Sequence, residues 1–314
     1  MNSEFSNKVK AEALRLGFYA CGIARAEPVD DDTAAAFRQW LKDNRHGDMH
    51  YMESHADKRL NPTLLMPGAK SIVSVALGYA PAMRIPPGQY QIAAYAYGHD
   101  YHDIMKAKLR QLAAFIQQEA GPSLLFRIFT DTAPILERYW ARQAGIGWTG
   151  RNHQLIIPHA GSMFFLGEIL LNIEMACDQP MADHCGNCRQ CIDHCPTHAL
   201  TENAFDARRC ISYHTIESRN DIPEEIAARM GDSIYGCDRC TAACPWNRFA
   251  TPTQEPLLQP SRELLSMTRE QWKQMTEDDY RRLFKGSAVK RAKYSGLKRN
   301  IQAVGEHEEV KSEK

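Results

Sequence analysis

The chain has 314 residues, 44% hydrophobic, 24% charged and 9% aromatic, with 38 basic residues against 38 acidic ones. This composition excludes disordered and fibrous classes and can bury a sizeable core. The charge balance excludes a global field for nucleic acid or membrane, so any such surface must be local. The most apolar stretch, 71–83, is too short and too broken by proline for a bilayer, which needs about 20 apolar residues. Residues Met1 to Glu4 do not open a secretory signal, so a soluble, cytoplasmic chain without a membrane partner is expected.

In chain order, periodicity predicts a helix over 6–16 that Gly17 ends, a strand over 18–24 and a helix over 33–44. Residues 71–79 are β-branched and apolar, as in a strand covered on both faces. A strong helix follows over 103–119, stopped by Gly121 and Pro122. Next come a short strand over 124–129, a helix over 134–144 that opens with Pro134, and strands over 154–157 and 163–172. Short strands alternating with helices point to an α/β layered catalytic domain over 1–176. Residues 177–250 are rich in Cys, Arg, His and Asp and poor in apolar runs, so bound clusters would have to organise them. A proline-spaced linker then leads to short helices around 262–265, 268–275 and 277–284, in a C-terminal segment over 251–314 whose last residues, 306–314, are polar and expected to fray.

Eight of the ten cysteines fall between Cys185 and Cys244. A chain without a secretory signal keeps its thiols reduced, so a dense cysteine block points to metal. Cys185-x2-Cys188-x2-Cys191-x3-Cys195-Pro196 is the bacterial ferredoxin run, in which three thiolates bind one cubane and the fourth crosses to another. Cys237-x2-Cys240-x3-Cys244-Pro245 repeats it without its first member, and Cys210 lies upstream to supply the missing thiolate. By the crossover rule, Cys185, Cys188, Cys191 and Cys244 hold one 4Fe-4S cluster, and Cys195, Cys210, Cys237 and Cys240 the other. Zinc sites would use separated pairs and have no use for a third close cysteine. Cys21 and Cys177 are expected to be ordinary buried thiols.

Two clusters form a path for single electrons and imply a terminal in the α/β domain. That domain lacks the Gly-x-Gly-x-x-Gly and phosphate-loop patterns, and also the Asp-x-His-x-x-Gly sequence that supplies histidine to cobalt. Its densest polar signal is Phe129-Thr130-Asp131-Thr132-Ala133-Pro134-Ile135-Leu136-Glu137-Arg138, followed by Gly145-Ile146-Gly147-Trp148-Thr149-Gly150-Arg151-Asn152. Asp131 stands where a strand should end and a helix begin, a place for a functional side chain or for a helix cap. Glu137 and Arg138 read as a local ion pair.

These residues resemble the epoxyqueuosine reductase family. The likeness extends to His46-Gly47-Asp48-Met49-His50-Tyr51-Met52, Arg59-Leu60-Asn61-Pro62, Tyr95-Ala96-Tyr97-Gly98-His99-Asp100-Tyr101-His102, Phe165-Leu166-Gly167-Glu168, Cys244-Pro245-Trp246-Asn247 and Gly286-Ser287-Ala288-Val289-Lys290-Arg291. It implies a nitroreductase-like α/β (α+β) core, also seen in reductive dehalogenases, that binds cobalamin without its lower base. An inserted ferredoxin-like two-cluster module and a short helical C-terminal segment complete the implied architecture. Some members of the family carry a helical-repeat extension that this sequence does not show.

The resemblance implies that the substrate is epoxyqueuosine in the anticodon loop of tRNA, and that Asp131 donates a proton from a carboxyl kept neutral in a desolvated pocket. Arg59, Tyr97, Asp131, Trp148, Gly150, Asn152 and Gly167 are the cobalamin-pocket candidates, glycine allowing close approach of the backbone. His99, His102 and His153 read as structural histidines. The basic residues Lys285, Lys290, Arg291, Lys293, Lys298 and Arg299 form a strip without an acid, and Arg208, Arg209 and Ser212 a second wall, for tRNA phosphates. An external low-potential donor of flavodoxin or ferredoxin type and a monomeric state complete the expectation. The alternatives are a corrinoid reductase of another small electrophile, such as an organohalide, and a non-catalytic ferredoxin-type carrier.

Overall fold

The structure, a computed structural model, describes residues 3–202 and 204–312, with side chains as far as Glu306. Helix α1 (Ser3–Arg15) leads through strand β1 (Ala20–Arg25), α2 (Asp31–Lys42) and α3 (Ala56–Leu60) to β2 (Ser71–Gly78). Then come β3 (Gln91–Ile92), α4 (Tyr101–Ala120), β4 (Phe126–Phe129), α5 (Glu137–Gln143), the hairpin of β5 (Trp148–Thr149) and β6 (Leu155–Ile156), and β7 (Phe164–Leu171). The cysteine-rich stretch carries α6 (Gln190–Asp193), α7 (Ile211–Ile216), α8 (Glu224–Ala227), β8 (Ser233–Tyr235) and α9 (Arg239–Ala242). Helices α10 (Arg262–Ser266), α11 (Arg269–Gln274), α12 (Glu277–Leu283) and α13 (Lys293–Ser312) follow.

Strands β1, β2, β7 and β4 form one sheet in that order, antiparallel at every step. This corrects the α/β reading towards α+β. Alternation of helix and strand along the chain does not set strand direction, and β7 enters between β2 and β4 after the β5–β6 hairpin. The centre of the sheet is covered on both faces, as the apolar run 71–79 predicts. Val73, Val75, Leu77, Phe165 and Ile169 pack with α1 and α4, while Ile72, Ala76, Leu166 and Leu170 pack with α5 through Trp140. Each fully buried side chain of this size contributes about 1.5–3 kcal/mol.

Helix α4 buries Ile104, Met105, Leu109, Leu112, Ala113 and Ile116 on one stripe and ends at Gly121, whose φ of 96° favours glycine. Asp100 caps its start by accepting the His102 N–H at 3.1 Å. Helix α5 begins at Glu137, three residues later than the sequence suggests, because 130–136 is spent on a loop at the end of β4 in which Ile135 is buried. Another core draws on residues from 85–97, 211–235 and 264–304, including Tyr235, Trp272, Tyr280 and Phe284. Asn300 fastens it, donating to Thr215 O at 2.9 Å and Ile234 O at 2.8 Å. Helix α13 runs through Ser312 where fraying is expected; Glu313 and Lys314 lie outside the described residues.

Candidate active site and cluster thiols

The loop after β4 presents Asp131 with a left-handed backbone, φ 54°, unusual for a residue with a side chain. Its side chain is 60% exposed and caps nothing. Instead Oδ2 accepts the Tyr101 hydroxyl at 2.5 Å and lies 3.4 Å from His102 Nε2. His102 Nδ1 is 2.6 Å from Asp100 Oδ1, so the ring is held between two carboxylates. The Tyr101 ring is fixed in turn by stacking on Phe165 of β7, with centroids 4.1 Å apart. Burial alone would raise the Asp131 carboxyl, but its hydrogen bonds with His102 and Tyr101 outweigh that and hold it below the ordinary carboxylate range. Burial likewise works against a charged His102, yet Asp100 and Asp131 push the imidazole up to about 9.

The resemblance implies a neutral carboxyl at Asp131, whereas its hydrogen bonds favour the carboxylate and the same contacts favour a protonated His102. His102, read from sequence as structural, belongs to the site, and so does Tyr101, which the sequence reading passed over. The signal was Asp100-Tyr101-His102 at a helix start, where cap and ring share one turn. Glu137 feels the charge of Arg138, as adjacency suggests, and also accepts the Asp131 backbone N–H at 2.5 Å. His99 and His153 make no contact with Asp131.

Arg59 is buried; its Nη2 donates to Tyr51 O at 3.1 Å, its Nε has no partner, and it lies within electrostatic reach of Asp131. Asn152 is also buried, with its Nδ2 unpartnered. Asn152 lines a cavity together with Arg151, Ile156, Cys185, Cys188, Cys191, Cys244, Pro245 and Trp246. His153, one residue on, is within reach of Arg138, which in turn acts on Asp131. Trp148 is buried and donates from Nε1 to Cys185 Sγ at 3.4 Å, so it packs on the thiols.

Three other pocket candidates face elsewhere. The ring of Tyr97 is buried in the core of 85–97, 211–235 and 264–304, with its hydroxyl accepting the Ile85 N–H. A Cβ on Gly167 would meet Met105 Cε at 2.8 Å and Leu109 Cδ1 at 2.9 Å, so its bareness admits α4 against the sheet. A Cβ on Gly150 would sit 2.4 Å from Ile156 Cδ1, inside the β5–β6 hairpin.

The eight clustered thiols gather as two fours. Cys185, Cys188, Cys191 and Cys244 share the cavity above. Cys195, Cys210, Cys237 and Cys240 are within electrostatic reach of one another. Helices α6 and α9, each carrying one cysteine inside a run, pack side by side and bring the two runs together. Burial pushes the Cys210 thiol up to about 11 and Cys240 up to about 12, so thiolates there need a bound cation to offset desolvation. Two sets of four thiols, buried or half-buried, fit 4Fe-4S clusters, and the unpartnered donors of Arg59 and Asn152 suit the amides or phosphate of a corrinoid. Cys177 departs from expectation, being exposed.

The basic residues are divided in role. Arg208 is chelated by Asp206, and Arg291 by Glu217 while lying over the Tyr51 ring. Arg299 donates to the carbonyls of His214, Ser218 and Asn220, and Lys298 to that of Lys273. Ser212 is half-buried within α7. Arg209, Lys285, Lys290 and Lys293 are exposed.

Residues 59–132 match the family model described as epoxyqueuosine reductase QueG, DUF1730, and residues 184–247 match a 4Fe-4S double cluster binding domain. The chain is 46% identical to the epoxyqueuosine reductase of Cellulophaga algicola, over 94% of this chain and 96% of that one. It superposes with TM-score 0.89 and 27% identity on an epoxyqueuosine reductase solved with an epoxyqueuosine-modified tRNA stem loop, over 97% of this chain and 81% of the other. A Bacillus subtilis epoxyqueuosine reductase, solved with its catalytic aspartate loop swung out of the active site, is similar at TM-score 0.87 and 26% identity, over 97% and 82%. At 17% identity and TM-score 0.50, a reductive dehalogenase shares the fold over 97% of this chain and 36% of that one.

Proposed function

The chain belongs to the epoxyqueuosine reductase family, and we infer from that membership how its own residues serve the reaction. It is an oxidoreductase that converts epoxyqueuosine in tRNA to queuosine, using cobalamin and two 4Fe-4S clusters. The reaction takes two electrons and two protons: both carbon–oxygen bonds of the epoxide break, an alkene forms and the oxygen leaves as water. Cobalamin, when bound, supplies a cobalt centre that can pass electrons to the substrate carbon. Cys185, Cys188, Cys191 and Cys244 hold one cluster, and Cys195, Cys210, Cys237 and Cys240 the other. Arg59 and Asn152, whose buried Nε and Nδ2 lack partners, would hold the corrinoid through its amide or phosphate groups.

Asp131 delivers the proton to the departing oxygen, and His102 stores it. Tyr101 and the His102 ring keep the carboxylate aimed, so that its proton comes from an imidazolium one hydrogen bond away. The observation that carries this reading is Asp131 at φ 54°, its carboxylate accepting the Tyr101 hydroxyl at 2.5 Å and lying 3.4 Å from His102 Nε2. The aspartate loop of the Bacillus subtilis relative supports it.

We also infer that the helix-covered antiparallel sheet is a nitroreductase-like core, and that the chain divides near residues 176 and 250, which the cluster-domain match over 184–247 supports. The exposed Arg209, Lys285, Lys290 and Lys293 contact tRNA phosphates, Arg208, Ser212, Arg291, Lys298 and Arg299 framing them. A low-potential flavodoxin or ferredoxin donates the electrons, as clusters of about −400 mV require. One chain suffices for the site, and the reaction takes place in the cytoplasm, where tRNA is; no helix among the described residues is long and apolar enough to cross a membrane. The test is nucleoside analysis of tRNA from cells lacking the gene. Epoxyqueuosine should accumulate, and unchanged queuosine would overturn the reading.

A further inference from the structure

Glu168 lies in the middle of β7, 0% exposed, and no N–H or O–H reaches either of its oxygens. Across β2 it faces Ser74, whose hydroxyl also lacks a partner, and across β4 it faces Phe129, two residues before Asp131. It sits on the α5 side of the sheet, where its carboxyl meets that of Glu137 from the first turn of α5. Glu137 in turn accepts the Asp131 backbone N–H. Two ionised carboxylates in contact inside a sheet core would lose their hydration and repel each other. The pair therefore holds a proton.

We propose that Glu168 is a positioning residue for the reaction: protonated, it donates to Glu137, which leaves the Glu137 carboxylate to hold the Asp131 N–H and keep the aspartate loop over the site. The proposal rests on the assignment of Asp131 as the acid. Its physical content is a latch of three carboxyl groups with one proton between the inner two. The Asp131 backbone, at φ 54°, is in a costly region that the Glu137 bond compensates. Loss of the proton would leave three carboxylates in a row and favour release of the loop.

Arg138 acts on Glu137 from α5, Arg59 lies within reach of Glu137 and Asp131, Ser74 stands opposite on β2, Tyr101 of α4 acts on both Asp131 and Glu137, His102 on Asp131, and Arg291, Tyr51 and Tyr95 are within electrostatic reach of Asp131. Burial and mutual repulsion push the Glu137–Glu168 pair above the ordinary carboxylate range, so the two keep a proton between them at neutral pH. Raising the pH removes that proton and opens the latch.

The experiment is infrared titration of the holoenzyme with 13C-glutamate labelling, which moves glutamate carbonyl bands away from those of aspartate. Glu168 is the one glutamate among the described residues in the fully buried class, so a protonated carboxyl band at neutral pH reports the pair. The band should persist above the ordinary carboxylate range, disappear as the pH is raised further, and be absent in Glu168→Gln. Turnover of epoxyqueuosine tRNA should fall along the same titration in the native enzyme. In Glu168→Gln, a permanent donor, the fall should move to higher pH. Glu168→Ala, with no donor, should lose turnover that Gln retains.

A native enzyme without the band overturns the proposal and needs no variant to fold. So does a Gln variant with an unmoved pH profile. Native turnover by Asp131→Asn overturns the acid assignment and the positioning role together, whereas a silent infrared spectrum overturns the Glu168 role alone.

Discussion

Asp131 is surrounded by groups that divide its work. The carboxyl accepts from Tyr101 and lies beside His102, its backbone N–H is held by Glu137, and the flanking carboxylates push the His102 imidazole up to about 9. The sign of the His102 shift follows from its partners. A raised imidazole contributes stability fully present below its usual value of about 6.5 and lost as pH rises through about 9. The lowered Asp100 and Asp131 contribute the converse, present above their usual range and lost on acidification. NMR titration of the His102 ring should give a midpoint of about 9 in the native protein and a value closer to 6.5 in an Asp131→Asn, Asp100→Asn variant. An unmoved midpoint would mean that the carboxylates are not the cause. Asp131 itself was legible in the sequence as a polar residue where a strand gives way to a helix. Its partners were not, because Tyr101 and His102 lie a whole helix earlier in the chain, and only the docking of α4 on β7 brings them to Asp131.

Among the elements, the two cysteine runs are brought together by the packing of α6 against α9, and the proposed crossover sharing of the two clusters follows the spacing of the runs. The consequence can be checked cysteine by cysteine. Cys195→Ser and Cys210→Ser should damage the same cluster and leave the electron paramagnetic resonance signal of the other. Cys244→Ser should damage the cluster that Cys185→Ser damages, although its own run supplies the second cluster. Iron content in each variant should fall by up to half. A variant set that sorts by run instead of by crossover would refute the assignment. Helix periodicity was read correctly for α4, whose apolar stripe faces the sheet, but the start of α5 was missed. Pro134 suits a first helical turn, yet the residues around it are held in the aspartate loop, where Glu137 must reach Asp131 N–H and Glu168 at once.

At the scale of the whole molecule, the core of Tyr235, Trp272, Tyr280 and Phe284 welds the C-terminal helices to the cysteine-rich stretch and to residues 85–97. That core consumes part of the basic strip. Arg299 satisfies carbonyls of the α7 region and Arg291 is clamped by Glu217, while Lys285, Lys290 and Lys293 remain exposed. Reversal of Lys290 and Lys293 to Glu should weaken tRNA binding and reduce the slope of log Kd against log salt by about 1 to 2, measured by filter binding. An unchanged slope would remove these lysines from the interface. From sequence alone came the grouping of the cysteines into two fours, the helical stripes and the two-face burial of 71–79, because each depends on spacing along the chain. Strand direction, the burial of Tyr97 and Gly167, the division of the basic strip and the Glu137–Glu168 pair were decided by tertiary packing. Each of these depends on which distant segment supplies a neighbour, and local spacing carries no record of that.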